Sequence, residues 1–350
     1  MNQHGSKSAR TAIDLFAGAG GLTLGLKQAG FRVLAAVEID CLAAQTYRHN
    51  HADVILWEND IRKISGAQIL KRLQLSKGTL DLLAGCPPCQ GFSQLRTLNG
   101  ARKVDDERND LIFEFLRLVE EIKPRTIMME NVTGLKSDKR MTVFGERLKE
   151  LGYEWNADIL DAADFGVPQR RRRLVLLGSI YGLISFGVPD SNSLKVRDAI
   201  GDLEPPSESS DKLHCVIERR SARIQRLIRR IPKDGGSRAQ LGQRQQLACH
   251  RRCNGFKDIY GRMAWEKVAP TITTGVFNPS KGRFLHPEED RCITLREAAL
   301  LQTFPSDYFF SLEKGKGKAA ALIGNALPPE FVRRQGTCIM HHLNSHCVSQ

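Results

Sequence analysis

The sequence predicts an α/β fold in which helices cover both faces of a mostly parallel sheet, followed by a second, smaller domain. Short apolar runs typical of strands alternate with amphipathic helical stretches as far as about residue 180. Glycine-rich or proline-rich turns follow several of these runs. Beyond Gly187 the alternation ends in a segment rich in serine, aspartate and proline, which indicates a domain boundary.

The individual elements are predicted from the spacing of apolar residues. Strands are expected at residues 11–16, 33–37, 54–57, 80–84, 126–130 and 174–177, and helices at 22–29, 111–122, 216–231, 295–302 and 330–343. Pro124 and Pro232 end the second and third of these helices. The third helix is basic and amphipathic, with an apolar side formed by Ile217, Ile224, Ile228 and Ile231.

Positive charge is the main compositional signal. The 350 residues carry a formal net charge of +13, and residues 211–262 alone contain 14 basic and 4 acidic residues. One such region favours a polyanionic partner, because neutralising phosphates releases counterions. The alternatives are a solvated basic surface without a partner and a helix that only packs its isoleucine side. The candidate contacts on this helix and the loop after it are Arg219, Arg220, Arg226, Arg229, Arg230 and Arg238.

The composition also excludes several classes of protein. With 41% hydrophobic residues the chain can bury a sizeable core, which excludes global disorder. No apolar run approaches the roughly 20 residues of a membrane helix, and the chain does not begin like a signal peptide. A cytoplasmic protein without a membrane partner is therefore expected. The nine cysteines are expected to be reduced thiols rather than a disulfide framework.

A glycine-rich turn, Asp14-Leu15-Phe16-Ala17-Gly18-Ala19-Gly20-Gly21, follows the first predicted strand. Glycines let the backbone approach a ligand and turn into a helix whose amides face that ligand, although such turns are also ordinary connections. The dinucleotide-binding pattern requires a glycine where this chain has Thr23, so a pyrophosphate ligand is not favoured. Glu38 follows about 20 residues later, where it would hold ribose hydroxyls, and Asp60 would accept from an adenine amino group. Together these residues favour an adenosine-type cofactor.

The fourth predicted strand leads into Gly85-Cys86-Pro87-Pro88-Cys89-Gln90-Gly91-Phe92-Ser93. Two prolines fix the backbone before Cys89 at the carboxyl end of a strand, where open sheets bind ligands, so Cys89 is the candidate thiolate nucleophile. A buried cysteine without chemistry is one alternative. Another is a zinc site of Cys86, Cys89, Cys249, His250 and Cys253, which the prolines and the irregular spacing disfavour.

The fifth predicted strand ends in Glu130-Asn131-Val132, and the sixth follows Gln169-Arg170-Arg171-Arg172-Arg173. A carboxylic acid such as Glu130, beside a thiol at a neighbouring strand end, is suited to protonate or hydrogen-bond a ring nitrogen during thiolate attack. Asn131 by itself fits a helix-capping role as well. Arginines at a strand edge are usually solvated, but strand alternation directs Arg171 and Arg173 to one face and toward the same cleft.

Taken in this order, the four blocks resemble the DNA cytosine-5 methyltransferases of the bacterial type. Two further segments match the last two motifs of that family, namely Arg296-Glu297-Ala298 with Leu301-Gln302-Thr303-Phe304-Pro305, and Gly324-Asn325-Ala326-Leu327-Pro328. The resemblance extends from about residue 11 to residue 335. Leu327 stands where the family often has valine.

The resemblance implies a Rossmann-like methyltransferase fold that uses S-adenosyl-L-methionine and no metal. It implies a catalytic domain of residues 1–186 and 318–350 and a target-recognition domain of residues 187–317. Cys89 would be the nucleophile, Glu130 the acid at ring nitrogen 3, and Arg171 and Arg173 the arginines that hold the base. The residues expected against the cofactor are Phe16, Gly18, Gly20, Gly21, Glu38 on the ribose, Asp60 on the adenine, Asn109, Leu111 and Asn325.

The resemblance also implies partners. The substrate would be double-stranded DNA, bound by a monomer, with the target base flipped out and residues 94–108 closing over it. The chain would act in the cytoplasm of a bacterium or be encoded by a phage, with a cognate restriction endonuclease as a further partner to consider. A tRNA cytosine methyltransferase is an alternative, but its branch carries a Cys-Phe-Thr tripeptide that this sequence lacks. A catalytically silent DNA-binding module is another, against which the presence of Cys89, Glu130 and Arg171 argues.

Overall fold

The computed structural model describes residues 9–88, 110–242 and 258–346, and the chain divides into two compact units. Unit 1 comprises Met1–Asp161, Arg172–Pro189 and Pro329–Gln350, and unit 2 comprises Ala162–Arg171 and Asp190–Pro328. Compared with the predicted domains, residues 162–171 and 318–328 group with unit 2, and residues 187–189 group with unit 1. Which unit reads the DNA target stays a prediction, because compactness alone does not show it.

Unit 1 is built on a mixed sheet whose described strands have the order β3-β2-β1-β4-β5-β7-β6. These strands are β1 (Thr11–Leu15), β2 (Arg32–Glu38), β3 (Ile55–Glu58), β4 (Leu82–Gly85), β5 (Thr126–Asn131), β6 (Glu154–Asp161) and β7 (Arg172–Ser179). Strands β1 to β5 pair in parallel, whereas β7 runs antiparallel between β5 and β6. The predicted mostly parallel α/β sheet is confirmed, and β6 is a strand that the sequence did not predict.

The described helices are numbered in chain order. They are α1 (Gly21–Gln28), α2 (Cys41–Asn50), α3 (Gly66–Leu73), α4 (Leu111–Ile122), α5 (Lys139–Glu150), α6 (Val196–Ile200), α7 (Ala222–Arg230), α8 (Leu295–Leu301), α9 (Lys316–Asn325) and α10 (Pro329–His346). Short 3-10 turns lie at Ile61–Lys63, Thr133–Ser137, Ala162–Phe165, Arg238–Gln240 and Pro279–Lys281. None of the described helices is long and apolar enough to cross a membrane.

Alternation along β1 separates the two faces of the sheet. Ile13 and Leu15 belong to a buried cluster that includes Phe115 of α4 and Phe144 of α5. Asp14, between them, points the other way and hydrogen-bonds a side chain of α1. Helices therefore cover both faces of the sheet, as the alternation of elements predicted.

The last helix of the chain returns to unit 1 and packs against α1. A Cβ atom added to Gly25 of α1 would lie 2.4 Å from the carbonyl oxygen of Pro329, so only glycine permits this approach. Gly336 of α10 contributes to the same approach, since a Cβ added there would lie 3.0 Å from the Cβ of Ala29. In this way α10 covers the helix that follows the glycine-rich turn.

Unit 2 contains α6 to α9 and little sheet among its described residues. One of its cores packs Leu227, Ile228 and Ile231 against Leu285. The guanidinium of the fully buried Arg262 donates to the carbonyl oxygens of Ile228 (2.9 Å) and Ile231 (3.1 Å) and so holds the end of α7.

The basic helix predicted at 216–231 is shorter in the structure. Helix α7 spans only Ala222–Arg230 because Ser221 caps it, accepting from the backbone N–H of Ile224 at 3.4 Å. Ile217, predicted on the apolar side, lies before the helix and is exposed. Ile228 and Ile231 are buried, as expected.

Candidate active site

Most of the predicted cofactor and catalytic residues that the structure describes lie at one edge of the unit 1 sheet. Because β1 to β5 are parallel, their carboxyl ends meet at this edge. The turn after β1, Glu38 at the end of β2 and Glu130 near the end of β5 are placed there. Cys89, Asn109 and the predicted loop of residues 94–108 lie outside the described residues.

The glycine-rich turn adopts a conformation that needs its glycines. Gly18 and Gly20 have φ angles of 55° and 94°, and Phe16 also lies in the left-handed region at 61°. The N–H of Ala17 donates to the carbonyl of Val37 at 3.0 Å, and that of Gly18 to Glu38 Oε2 at 2.8 Å. The turn is therefore bonded directly to the end of β2 and runs into α1 at Gly21.

Glu38, which the sequence predicts to bind ribose hydroxyls, is held at the end of β2 by backbone N–H groups. Its second oxygen, Oε1, accepts from the N–H of Asp40 at 2.6 Å. Burial raises the pKa of this carboxyl above its usual range, although the N–H groups of Asp40 and Gly18 oppose that shift. The next residue, Ile39, is 64% exposed, which is unusual for an apolar side chain. An exposed apolar group beside Glu38 is suited to lie against the flat face of a nucleoside, and sequence reasoning missed it.

Asp60 is fixed in the loop after β3. Its Oδ1 accepts from the backbone N–H of Arg62 at 3.0 Å, and the Arg62 guanidinium reaches Oδ2 at 2.6 Å. The hydrogen bond from Arg62 lowers the pKa of Asp60, so this carboxylate is an acceptor at neutral pH. Leu111 is the first residue of α4 and packs against the core with Phe16.

The first residue of the glycine-rich motif, Asp14, is a fully buried carboxyl group within β1. Burial raises the pKa of Asp14 to about 7, against the hydrogen bond from Thr23, which lowers it. The folded protein therefore binds one more proton than the unfolded chain between about pH 4 and pH 7. Since the native state holds the extra proton, the free energy of unfolding should fall as the pH rises through this range.

Replacing Asp14 by asparagine is expected to flatten this pH dependence. The amide keeps an acceptor for Thr23 but has no proton to lose. The free energy of unfolding of Asp14→Asn relative to the wild type should therefore increase between pH 5 and pH 8, by about 1.4 kcal/mol for each pH unit over which the wild type holds its extra proton. Denaturant titrations of both proteins at pH 5 and pH 8 measure the difference. Equal pH slopes in the two proteins would contradict the prediction.

The segment before Cys89 is anchored by its neighbours. The N–H of Cys86 donates to the carbonyl of Leu15 at 3.3 Å, and Asn131 Nδ2 donates to the carbonyl of Pro87 at 3.1 Å. A Cβ on Gly85 would lie 2.8 Å from the Leu15 oxygen, so the strands approach closely here. The Asn131 side chain thus links β5 to the segment that leads to Cys89.

The two predicted catalytic groups at the end of β5 and the start of β7 form an ion pair. Arg173 Nε lies 2.9 Å from Glu130 Oε1, with 20% and 10% of the two side chains exposed. Because β7 runs antiparallel to β5, its first residues lie beside the last residues of β5. The guanidinium therefore fixes the orientation of the Glu130 carboxyl group.

Arg171 and Asn325 belong to unit 2, where they are neighbours. The Arg171 guanidinium is buried and donates to the carbonyl oxygens of Gly324 (3.1 Å) and Asn325 (3.4 Å), at the end of α9. Gln169, also buried, accepts from the N–H of Ile272 at 2.7 Å. Base holding by Arg171 stays a prediction, while its observed bonds hold the segment that contains Asn325.

The candidate DNA-binding arginines separate into two groups. Arg219, Arg226, Arg229 and Arg230 are exposed, and so is Arg223 on the same helix, which sequence reasoning missed although it lies three residues before Arg226. Arg220 instead donates to the carbonyl of Phe277, and Arg238 is buried. The buried environment of Arg238 and the inward bond of Arg220 make both poorly suited to phosphate contact.

The zinc alternative is not tested by the structure, because four of its five residues lie outside the described ranges. Within those ranges, no three histidine, cysteine or acidic side chains are grouped so that they could hold a metal ion. Cys86, the described member, is partly buried.

Comparison with known proteins identifies the family. The model of the C-5 cytosine-specific DNA methylase family matches residues 10–341. The chain belongs to this family. Type II methylase M.HgiDII of Herpetosiphon aurantiacus is 37% identical to this methylase, over 90% of this chain and 91% of the relative. Type II methyltransferase M1.HphI of Haemophilus parahaemolyticus is 35% identical, over 91% of this chain and 83% of the relative. The enzyme is thus a DNA cytosine-5 methyltransferase, as its motifs predicted.

Solved structures share the fold of this methylase. A candidate DNA modification methyltransferase encoded within an Escherichia coli prophage superimposes with a TM-score of 0.74 at 23% identity, covering 96% of this chain and 100% of that one. DNMT2 of Spodoptera frugiperda gives a TM-score of 0.64 at 17% identity, over 95% and 100% of the two chains. At these identities the likeness concerns the fold alone, and it agrees with the predicted Rossmann-like architecture.

Proposed function

We propose that this methylase transfers a methyl group from S-adenosyl-L-methionine to carbon 5 of a cytosine within a specific double-stranded DNA sequence, through a covalent adduct with Cys89. The observation that carries the proposal is the Glu130–Arg173 pair at the strand end beside the segment leading to Cys89. A fixed carboxyl group beside the segment that leads to a candidate thiolate fits the activation of a pyrimidine ring, which uses an acid and a nucleophile together.

The residues at the β1 and β2 ends fit the proposed cofactor. Gly18 is partly exposed, and a Cβ added there would meet no described atom within 4 Å, so a ligand can approach the turn at this residue. Glu38 would hold the ribose hydroxyls, Asp60 the adenine amino group, and Ile39 the adenine face. When bound, S-adenosyl-L-methionine supplies a methyl group carried by a sulfonium, and the protein contributes its placement.

The chemistry assigned to the protein begins with the cysteine. The Cys89 thiolate adds to carbon 6 of the cytosine, which breaks the carbon 5–carbon 6 double bond and makes carbon 5 nucleophilic. Glu130 donates a proton or hydrogen bond to ring nitrogen 3, so that negative charge does not accumulate on the ring. After carbon 5 is methylated, its proton leaves to a base, the double bond re-forms, the thiolate is expelled and ring nitrogen 3 returns its proton or hydrogen bond to Glu130. Arg173 keeps the Glu130 carboxyl in place throughout.

The target cytosine must leave the base stack of the duplex, because a side chain cannot reach carbon 6 while the base is stacked and paired. Flipping costs a few kcal/mol, which phosphate contacts offset. The exposed arginines of α7, together with Arg219 just before the helix, are the proposed contacts. The relatives named above are type II enzymes. We therefore propose that this methylase acts together with a restriction endonuclease that recognises the same DNA sequence.

Transfer of a labelled methyl group tests the proposal. The protein is incubated with methyl-labelled S-adenosyl-L-methionine and with either bacterial genomic DNA or tRNA, and the product base is identified after hydrolysis. Label in 5-methylcytosine of DNA alone supports the proposal, whereas label in tRNA or in neither substrate contradicts it. Bisulfite sequencing of DNA from expressing cells then gives the target sequence, and resistance of that DNA to a nuclease of the same specificity tests the protective role.

The exposed arginines are expected to set the salt dependence of DNA binding. Replacing Arg219, Arg226, Arg229 and Arg230 together by glutamine should weaken binding and reduce the slope of log K against log salt by about 0.9 for each phosphate that is no longer neutralised. A matched variant removes four exposed lysines of unit 1 instead: Lys71, Lys77, Lys139 and Lys149. Equal slopes in the two variants, measured by fluorescence anisotropy, would show that these four arginines do not contact the phosphates.

A further inference from the structure

Thr23, which replaces the third glycine of the dinucleotide pattern, has a defined place in the structure. It is fully buried in the first turn of α1, and its Oγ1 donates to Asp14 Oδ2 at 2.7 Å. The same oxygen lies 2.7 Å from the hydroxyl of the buried Tyr47 in α2. One side chain therefore ties the beginning of α1 to both β1 and α2.

Ionisation of Asp14 fixes the order of the protons in this chain of hydrogen bonds. An ionised carboxylate can only accept, so Thr23 then donates to Asp14, and because a hydroxyl has one proton to donate, Tyr47 must donate to Thr23. The other carboxyl oxygen, Asp14 Oδ1, accepts no hydrogen bond from the described residues. Loss of the Thr23 hydroxyl would thus leave both Asp14 and Tyr47 without this bond in a buried environment.

A second residue, His51 at the C-terminal end of α2, is hydrogen-bonded to the glycine-rich turn. His51 Nε2 lies 3.2 Å from the carbonyl oxygen of Gly20, and its Nδ1 lies 3.5 Å from Lys27 Nζ. An ammonium group can only donate, so Nδ1 accepts and Nε2 carries the proton that is donated to Gly20. Burial and the nearby Lys27 lower the pKa of His51 to about 4, which keeps the ring neutral.

Tyr47 and His51 are in contact, because their rings have centroids 4.8 Å apart. Lys27 is itself held by Asp53, whose Oδ1 lies 2.6 Å from Nζ. The turn is bonded to Glu38 through the N–H of Gly18. Side chains of α1 and the end of α2 therefore add further hydrogen bonds to the turn and to the beginning of α1.

We propose that Thr23, Tyr47 and His51 are positioning residues for the cofactor. They hold the glycine-rich turn and the first amides of α1 in the conformation that receives the methyl donor. The proposal rests on the proposed function, which places S-adenosyl-L-methionine at this turn. In this proposal the three residues act through Gly20 and the beginning of α1 rather than by contacting the cofactor.

The test measures cofactor affinity in the full chain with S-adenosyl-L-homocysteine as an unreactive probe. Thr23→Val keeps the shape of the side chain but removes both hydrogen bonds, and we expect it to weaken binding about tenfold. Thr23→Ser keeps the hydroxyl and should bind within about threefold of the wild type. In turnover assays Thr23→Val should raise KM for the methyl donor while kcat at saturation changes less than about twofold, because ground-state binding is what is weakened.

The control is another buried threonine of the same unit. Thr126 lies at the amino end of β5 and donates to the carbonyl of Asp81 at 2.7 Å. Thr126→Val therefore removes a buried hydrogen bond at the edge opposite the turn, and it should lower stability without changing the affinity for S-adenosyl-L-homocysteine. Tyr47→Phe removes only the hydrogen bond between Tyr47 and Thr23. It replaces Thr23→Val if that variant does not fold, and its affinity for S-adenosyl-L-homocysteine should be about threefold lower than that of the wild type.

The outcomes separate the two proposals. If the wild type binds no S-adenosyl-L-homocysteine, the proposed function and this inference both fail. If the wild type binds S-adenosyl-L-homocysteine and both Thr23→Val and Tyr47→Phe bind it as tightly as the wild type does, only the positioning role is overturned. If Thr126→Val weakens binding as much as Thr23→Val, the effect is general destabilisation, and the positioning role is again overturned. Selective loss in Thr23→Val that Thr23→Ser restores supports it.

Discussion

Replacing Cys89 by alanine is expected to abolish methyl transfer, lowering the rate by about 10⁴-fold or more, while leaving cofactor binding nearly unchanged. The reason is chemical: without a thiolate adding to carbon 6, carbon 5 of cytosine is too poor a nucleophile to accept the methyl group. Most of the cofactor residues proposed here come from β1, β2, β3 and their following turns, so their contacts do not depend on the cysteine. Turnover assays and binding of S-adenosyl-L-homocysteine measure the two quantities separately.

A covalent trap gives a direct reading of the same step. An oligonucleotide duplex carrying 5-fluorocytosine at the target cannot release the group at carbon 5, so the adduct should persist under denaturing electrophoresis when the methyl donor is present. The wild type should form this adduct and Cys89→Ala should not. Cys338→Ala, in α10, is the matched control and should trap like the wild type. Adduct formation by Cys89→Ala would disprove the nucleophile assignment.

Cys86 distinguishes the nucleophile from the zinc alternative. If Cys86 and Cys89 shared a metal, Cys86→Ala would be as damaging as Cys89→Ala and would release zinc from the purified protein. If Cys89 acts as a nucleophile, Cys86→Ala should still form the fluorocytosine adduct.

Replacing Glu130 by glutamine is the second change with a large expected effect, lowering kcat by about 10²–10⁴-fold. The amide keeps the shape of the side chain but delivers no proton to ring nitrogen 3, and it also breaks the 2.9 Å ion pair with Arg173. Affinity for S-adenosyl-L-homocysteine should be unchanged, since the loss concerns the transition state. Glu154→Gln, at the exposed beginning of β6, is the matched control.

Arg173 separates orientation from proton donation. Arg173→Met leaves the Glu130 carboxyl in the protein but removes the group that orients it, and displacement on the order of 1 Å can cost about 10²-fold in rate. Its neighbour Arg172 is exposed and begins the same strand, so Arg172→Met is the control. Normal turnover in Arg173→Met would show that the ion pair has no part in catalysis.

Local sequence was sufficient for the strands that supply the site. The runs that become β1, β2, β4 and β5 are continuous and apolar, as expected for strands buried on both faces of a parallel sheet, and they lie within two residues of the predicted bounds. The glycine and proline turns after β1 and β4 are local signals too, since they depend on backbone conformations that few residues adopt. Membership of the methylase family followed from these motifs.

Strand β6 shows where local reasoning failed. Its sequence, Glu154–Asp161, contains Asn156, Asp158 and Asp161, residue types depleted in strands, and most of it is only partly buried. It pairs with β7 alone at the edge of the sheet, so its conformation depends on a partner strand rather than on its own apolar pattern. The beginning of α7 was also predicted wrongly. The helical spacing of isoleucines continues to Ile217, but the side chain of Ser221 caps the helix and it begins only at Ala222.

The identity of the chemistry was determined by short stretches of sequence, whereas the roles of individual side chains were decided by tertiary structure. Arg171 and Arg173 are two residues apart, yet one is buried against backbone carbonyls of unit 2 and the other pairs with Glu130 in unit 1. Thr23 and Tyr47 are 24 residues apart and share one hydrogen bond. Residue type and spacing define what a group can do, but burial and long-range contacts determine its partners, and these form only when distant segments pack together.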